Sequence, residues 1–135
     1  MNFSEEKEFK EIMLKYEFAK KKLETELDIL LKEHEYKCNY NPVEHVKSRI
    51  KSIDSACNKL KKKKQEFNTY NLVKYVHDMI GFRIVCSFIS DVYDIVNIIK
   101  SSNEFIIKEE TDYIKNPKEN GYRSLHLVVE VPVYL

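Results

Sequence analysis

Apolar residues recur at helical spacing along the first part of the chain. Phe9, Ile12, Met13, Tyr16, Leu23, Leu27 and Leu30 fall on one stripe at ~100° per residue, which predicts a long amphipathic helix from about Ser4 to about Glu33. Ser4 is the expected N-cap, and Glu6–Lys10, Glu11–Lys15 and Glu17–Lys21 stand four apart on the wet side. This helix is expected to pack on a core or a partner chain and carries no chemistry of its own. A second helix is predicted from Asn41-Pro42-Val43-Glu44, with Asn41 as N-cap, Pro42 at the first helical position and Glu44 at N3. Val43, Val46, Ile50, Ile53, Cys57 and Leu60 continue it as one apolar stripe, which stops at the run Lys61-Lys62-Lys63-Lys64.

Beyond Asn71 the pattern shortens. Leu72 to Ile80 is a brief apolar segment, and the β-branched and aromatic residues after Gly81 predict a strand from Phe82 to Phe88. Ser90-Asp91 is the expected cap of a helix running to about Lys100, with Val92, Ile95, Val96 and Ile99 inward. Phe105 to Lys108 and Leu125 to Val131 are the remaining strands. Strand, helix and strand at this spacing predict a βαβ-like unit within a mixed β-sheet flanked by helices, an α+β chain.

Composition narrows the class. At 135 residues and 16.2 kDa the chain suits one domain, and 43% hydrophobic residues provide a core. The net charge is +1, from 23 basic and 22 acidic side chains, which weighs against a nucleic-acid partner, so any anion site must come from local clustering. Cys38, Cys57 and Cys86 are too few and too far apart for a disulfide framework or a zinc clamp and suit free thiols in a reducing cytoplasm. No apolar run is long enough to span a bilayer, and Glu5, Glu6 and Glu8 do not suit a signal peptide. With only Gly81 and Gly121, a glycine-rich phosphate loop is excluded.

Three clusters carry candidate chemistry. On the predicted second helix, Ser48, Lys51, Ser55, Lys59 and Lys62 share one band, a row of donors suited to a polyphosphate, while Arg49 lies near the apolar edge where a guanidinium can lie on a base. Taken alone, that row is as well explained by an ordinary solvated face. In His77-Asp78-Met79-Ile80-Gly81-Phe82-Arg83, Asp78 can offer a hard oxygen to Mg²⁺, and Arg83 needs an anion or a ring. The bland alternative pairs Asp78 with Arg83, and a lone His77-Asp78 is too little for a metal hydrolase. The richest stretch is Asp112 to His126, where Lys118, Tyr122, Ser124 and His126 surround Asn-Pro and Asn-Gly turns at the entrance to an apolar strand. Such a cluster suits base stacking and phosphate binding.

Taken in order, these stretches resemble the synthetase domain of the RelA/SpoT family, the GTP pyrophosphokinases that make the alarmone ppGpp. The resemblance covers about residues 41 to 131. It runs through Asn-Pro-Val-Glu-His-Val-Lys-Ser-Arg-Ile-Lys with Ser55 and Lys59, Asp78-Met-Ile-Gly-Phe-Arg83, Asp91-Val-Tyr-Asp, and Gly121-Tyr-Arg-Ser-Leu-His126. It implies a nucleotidyltransferase-like fold of the small single-domain type, with residues 1–40 as a helical segment and 41–135 as a partial synthetase domain. It also implies transfer of the ATP β,γ-diphosphate to the 3′-hydroxyl of GTP or GDP in the cytoplasm. By matching position, Arg49 and Arg83 would flank adenine, and Lys51, Ser55, Lys59 and Lys62 would hold the ATP phosphates. Asp78 would bind Mg²⁺ as the catalytic carboxylate, Tyr122 would stack on guanine, and Lys118, Ser124 and His126 would line the acceptor side. A homo-oligomer, tetrameric in the family, is expected, with no nucleic acid or membrane partner. The family's second acidic residue, in a Glu-x-Gln-x-Arg strand, has no match here. The 135 residues are therefore expected to be a truncated domain that binds ATP but makes little ppGpp. A non-catalytic nucleotide-sensing or oligomerisation module, or an RNA-modifying protein of the same architecture, are the competing expectations.

Overall fold

The computed structural model describes residues 3–86, 88–102, 106–112 and 123–130, with the side chains of residue 89 and of residues past 102 outside the description. The elements run α1 (Phe3–Cys38), β1 (Val43–Ile50), α2 (Ile53–Lys62), α3 (Thr69–Tyr75), β2 (Ile80–Cys86), α4 (Ile89–Ser101), β3 (Ile106–Asp112) and β4 (Arg123–Glu130). The four strands form one sheet in the order β1-β2-β4-β3, and each neighbouring ladder is antiparallel. β2 and β3 therefore run parallel with β4 between them, so the strand–helix–strand unit is a split βαβ.

The stripe on α1 is confirmed: Ile12, Tyr16, Leu23 and Leu27 are buried, and Phe9, Met13 and Leu30 pack beside them. The helix starts by Phe3, so Ser4 lies inside it and is not its cap. Salt bridges Lys20–Glu24 and Asp28–Lys32 run along its surface. It ends where Asn39 takes φ 61°, a left-handed conformation that asparagine tolerates and that turns the chain into β1. No described helix is long and apolar enough to cross a membrane.

The predicted second helix is wrong in its first half. Residues Val43–Ile50 form β1, paired with β2 from Val43↔Cys86 to Ile50↔Ile80. A bulge explains the misleading spacing. Val43 pairs with Cys86 and His45 with Val85, so Glu44 is the extra residue. That inserted residue puts Val43 and Val46, three apart as on a helix, on one face of a strand. From there Val46, Ser48 and Ile50 alternate normally, opposite Ile84, Phe82 and Ile80. Asn41 does not cap a helix; its Oδ1 accepts the Val43 N–H at 3.0 Å, fixing the turn into the strand. The helix begins only at Ile53, capped by Ser52, whose side chain accepts the Ser55 N–H at 3.2 Å.

α4 buries Val92, Ile95, Val96 and Ile99 as expected. Ser90 and Asp91 lie within its first turn, after Phe88 at the cap position, which makes no side-chain cap bond. Asp91 is instead buried and accepts the Tyr40 hydroxyl, tying the α1–β1 turn to α4. That hydrogen bond, with lesser burial and charge effects, pushes the Tyr40 phenol up to about 12. α1 packs on β1 and α4 on β2 and β4, and the two helices touch, so both cover the same face of the sheet. That face carries Ile80, Phe82, Ile84 and Cys86, all nearly inaccessible. All three cysteines are free thiols; burial first, then the charges of Asp91 and Glu44, pushes Cys86 up to about 12.

Candidate functional site

The site forms where β1 leaves the sheet and β2 enters it. Lys51 N–H donates to the Met79 carbonyl at 2.7 Å, extending the ladder one rung past Ile50↔Ile80 and setting Lys51 beside Asp78. Lys51 Nζ donates to Asp78 Oδ2 at 2.8 Å. From α2, Lys59 Nζ reaches Asp78 Oδ1 at 3.0 Å. That second contact lacks hydrogen-bond alignment, since Oδ1 is buried with no aligned donor, so it acts mainly through charge. All three side chains are largely shielded, at 16% for Lys51, 18% for Asp78 and 30% for Lys59. Two cations against one carboxylate leave an excess positive charge in a partly desolvated place, where it attracts anions strongly. Burial raises the Asp78 pKa, but the hydrogen bond from Lys51 and the close ammonium groups of Lys51 and Lys59 outweigh it and hold the carboxyl below its ordinary range.

The start of α2 adds hydroxyls. Ser52 donates to Ser55 Oγ at 2.9 Å, which places both at the helix N-terminus. Ser55, Lys59 and Lys62 share one face of α2 at ~100° per residue, so this part of the predicted row holds. Lys62 is exposed at the end of that face. Ser48 is not part of the row: on β1 its hydroxyl donates to Glu24 of α1 on the helix-covered side. That bond chiefly, with Lys20 and Lys21 assisting against burial, holds Glu24 below its ordinary range.

The other side of the sheet carries the arginines. Cross-strand partners share a face, so Arg49 stands beside Gly81 and Lys47 beside Arg83. Arg49 is exposed on β1, not at a helix edge. Arg83 is half-buried, and its Nε is buried with no hydrogen-bond partner among the described residues. Asp78 does not take the bland pairing with Arg83; its contacts are Lys51 and Lys59. In β4, His126 pairs with Arg83 and Ser124 with Val85 along the backbone. Lys118 and Tyr122, and the side chains of Ser124 and His126, lie outside the described residues. The sequence reading missed Ser52, and it missed Lys47, which alternates with Arg49 and Lys51 once β1 is recognised as a strand.

Comparison with known proteins shows the family. The profile described as the region found in RelA / SpoT proteins matches residues 48–134. The GTP pyrophosphokinase YwaC of Bacillus subtilis is 45% identical over 128 residues, 95% of this chain and 61% of that protein. The crystal structure of small alarmone synthetase 2 from Bacillus subtilis superposes with a TM-score of 0.67 at 44% identity, over 95% of this chain and 64% of that one. Small alarmone synthetase 1 from the same organism, bound to its product pppGpp, superposes at 0.70 with 29% identity, over 96% of this chain and 66% of the other. The chain thus spans less than two thirds of the length of these relatives.

Proposed function

The chain belongs to the RelA/SpoT family, and from that premise we propose that it binds ATP for transfer of its β,γ-diphosphate to the 3′-hydroxyl of GTP or GDP. The observation that carries this reading is the Lys51–Asp78–Lys59 cluster with its excess positive charge. In the transfer the 3′-oxygen forms a bond to the β-phosphorus, the bond from that phosphorus to the α,β-bridging oxygen breaks, and AMP leaves. The work of the chain is positioning and charge stabilisation.

Asp78 fits a magnesium ion: it is a half-buried carboxylate with one oxygen lacking an aligned donor, and Mg²⁺ commonly takes one or two carboxylates and fills its sphere with phosphates and water. When bound, the ion supplies charge neutralisation and polarisation of the transferred group. Lys51 and Lys59 present their ammonium groups to the triphosphate, with the Ser55 hydroxyl and Lys62 further along α2. Arg49 and Arg83 flank the adenine from neighbouring strands. Lys118, Tyr122, Ser124 and His126 hold the acceptor nucleotide. No Glu-x-Gln-x-Arg occurs in the 135 residues, so they contain no assigned base for the hydroxyl proton, and slow transfer is expected of them alone.

The test is calorimetric titration with a non-hydrolysable ATP analogue with and without Mg²⁺, and chromatography of products formed from ATP and GTP. Mg²⁺-dependent binding with a trace of ppGpp that disappears in Asp78→Asn supports the proposal. Binding with no product favours a nucleotide-sensing module, and rapid ppGpp formation overturns the expectation of slow transfer. No Mg²⁺-dependent binding sinks the reading altogether.

Assembly into a homo-oligomer is supported by a second stripe on α1. Phe3, Leu14, Phe18, Ile29 and Tyr36 are all exposed and fall within an arc of roughly 80° at 100° per residue, opposite the buried stripe. Light scattering that returned a monomer at high concentration would exclude such assembly.

A further inference from the structure

The helix-covered side of the sheet holds a charged residue in each of its two layers, and neither suits an apolar core. In the helix layer it is Asp91, in the first turn of α4 and only 1% exposed. Tyr40 satisfies Oδ1, but Oδ2 is buried with no hydrogen-bond partner, and no cation among the described residues pairs with the carboxylate. The helix N-terminus lends it roughly half a positive charge, less than a full cation would. A carboxylate so far from water is costly without a counter-charge.

In the sheet layer it is Arg123. Register sets Leu125, Leu127 and Val129 of β4 opposite Ile84, Phe82 and Ile80, and it sets Arg123 opposite Cys86. Cross-strand partners share a face, so Arg123 is the one charged position in a row that is otherwise apolar. β2 and β4 contain two arginines and no lysine, and the other, Arg83, is on the open face with His126. The two odd charges occupy the same end of the molecule. β2 finishes at Cys86 and α4 starts at Ile89, while β4 starts at Arg123. Asp91 stands near enough to Cys86 for its charge to help raise that thiol, and Cys86 is the cross-strand partner of Arg123.

We propose that Arg123 is the counter-charge of Asp91, and that this pair is a positioning element for the acceptor nucleotide. Ser124 and His126 alternate with Arg123 and stand on the open face beside Val85 and Arg83, and Tyr122 precedes it in sequence. Fixing position 123 from behind sets the height and register at which its neighbours meet the acceptor. Through Tyr40 the same carboxylate holds the α1–β1 turn, so one buried charge ties three distant segments together. The inference rests on the reading of Tyr122, Ser124 and His126 as acceptor residues. Asp91 and Arg123 act through those residues and are not catalytic themselves.

The experiment separates the pairing from its consequence. Thermal melts compare wild type, Arg123→Gln, Arg123→Lys and the double variant Asp91→Asn with Arg123→Gln. Arg123→Gln leaves a buried charge unpaired and should lower Tm by roughly 5 °C or more. Removing the charge as well should recover at least about half of that loss, and Arg123→Lys should keep most of the stability. An unchanged melt of Arg123→Gln, or a double variant no better than the single one, overturns the pairing. If Arg123→Gln does not fold, a folded double variant supports the pairing and an unfolded one overturns it. GDP and a non-hydrolysable ATP analogue, each with Mg²⁺, are then titrated into the folded variants. GDP affinity should fall roughly tenfold in the variants lacking the pair, recover in Arg123→Lys, and leave ATP-analogue affinity within about twofold of wild type. Equal loss of both ligands, or of neither, reduces the pair to a structural one and overturns the positioning role. Wild type that takes the ATP analogue but no GDP removes the acceptor reading and the positioning role with it, while the melts still decide the pairing.

Discussion

β1 and β2 have two unlike faces built from alternating residues of the same strands. On one, Ile80, Phe82, Ile84 and Cys86 lie beside Ile50, Ser48, Val46 and Val43 under α1 and α4. Its β2 side chains are buried, Val43 and Ile50 are partly so, Val46 is exposed, and the Ser48 hydroxyl is closed onto Glu24. On the other, Lys47, Arg49, Gly81 and Arg83 follow one another, ending at the Lys51–Asp78–Lys59 cluster, and two polar atoms, Arg83 Nε and Asp78 Oδ1, lack an aligned partner among the described residues. The first face is covered by the two helices, whereas the second carries the cations of the candidate site. Stability and ligand chemistry are separated by the parity of a residue, and a one-residue slip would exchange them.

Changes on the two faces should fail differently. The largest effect belongs to the helix side. Phe82→Ala leaves a cavity in the core and should cost about 3–5 kcal/mol in urea unfolding, with nucleotide affinity falling only as the folded fraction falls; a cost under about 1 kcal/mol would mean the site tolerates collapse. Next is Asp78→Asn, expected to lower Mg²⁺-dependent affinity for the ATP analogue roughly a hundredfold while leaving the circular dichroism spectrum unchanged. Unaltered affinity would remove the carboxylate from the site.

The pH dependence of that variant sharpens the contrast. The Asp78 carboxyl is held below its ordinary value in the folded protein. Its contribution to stability is therefore complete above the unfolded value, about 3.9, and is lost as pH falls through the lower folded value. Thermal melts of wild type and Asp78→Asn should keep a constant difference from neutral pH down to about pH 4 and converge only below it. A gap that closes near pH 6 would point to another group.

Smaller still is Ser48→Ala. It removes one donor from the partly exposed Glu24 and should cost about 0.5–1 kcal/mol of stability with no change in nucleotide affinity, because the hydroxyl lies on the helix side. A loss of affinity without loss of stability would return Ser48 to the phosphate row. Lys62→Ala should have the least effect. The ammonium is exposed at the end of α2, so affinity should fall only about twofold, and less at high salt.

Much of this was legible before the structure. α1 and α4 show their buried faces through helical spacing, because each burial stripe is local and needs no knowledge of its partner. Lys51, Lys59, Asp78, Arg49 and Arg83 are legible as an ordered set. The error lies in β1, where the bulge at Glu44 gives Val43 and Val46 a helix-like separation and Asn41-Pro42 offers a credible cap. With β1 misread, Ser48 joined a row it does not belong to, and Lys47 and Ser52 went unnoticed.

The order of residue types along the chain was enough to pick out a candidate set of nucleotide-binding side chains and the helices that bury a stripe, since both follow from chemistry and short-range periodicity. Which face of the chain each of residues 43 to 50 occupies was decided by tertiary structure alone. A strand satisfies its backbone N–H and C=O groups only through a distant partner, here β2. Until that partner sets the register, neither the bulge nor the meeting of Lys51 and Lys59 on Asp78 exists as a physical feature.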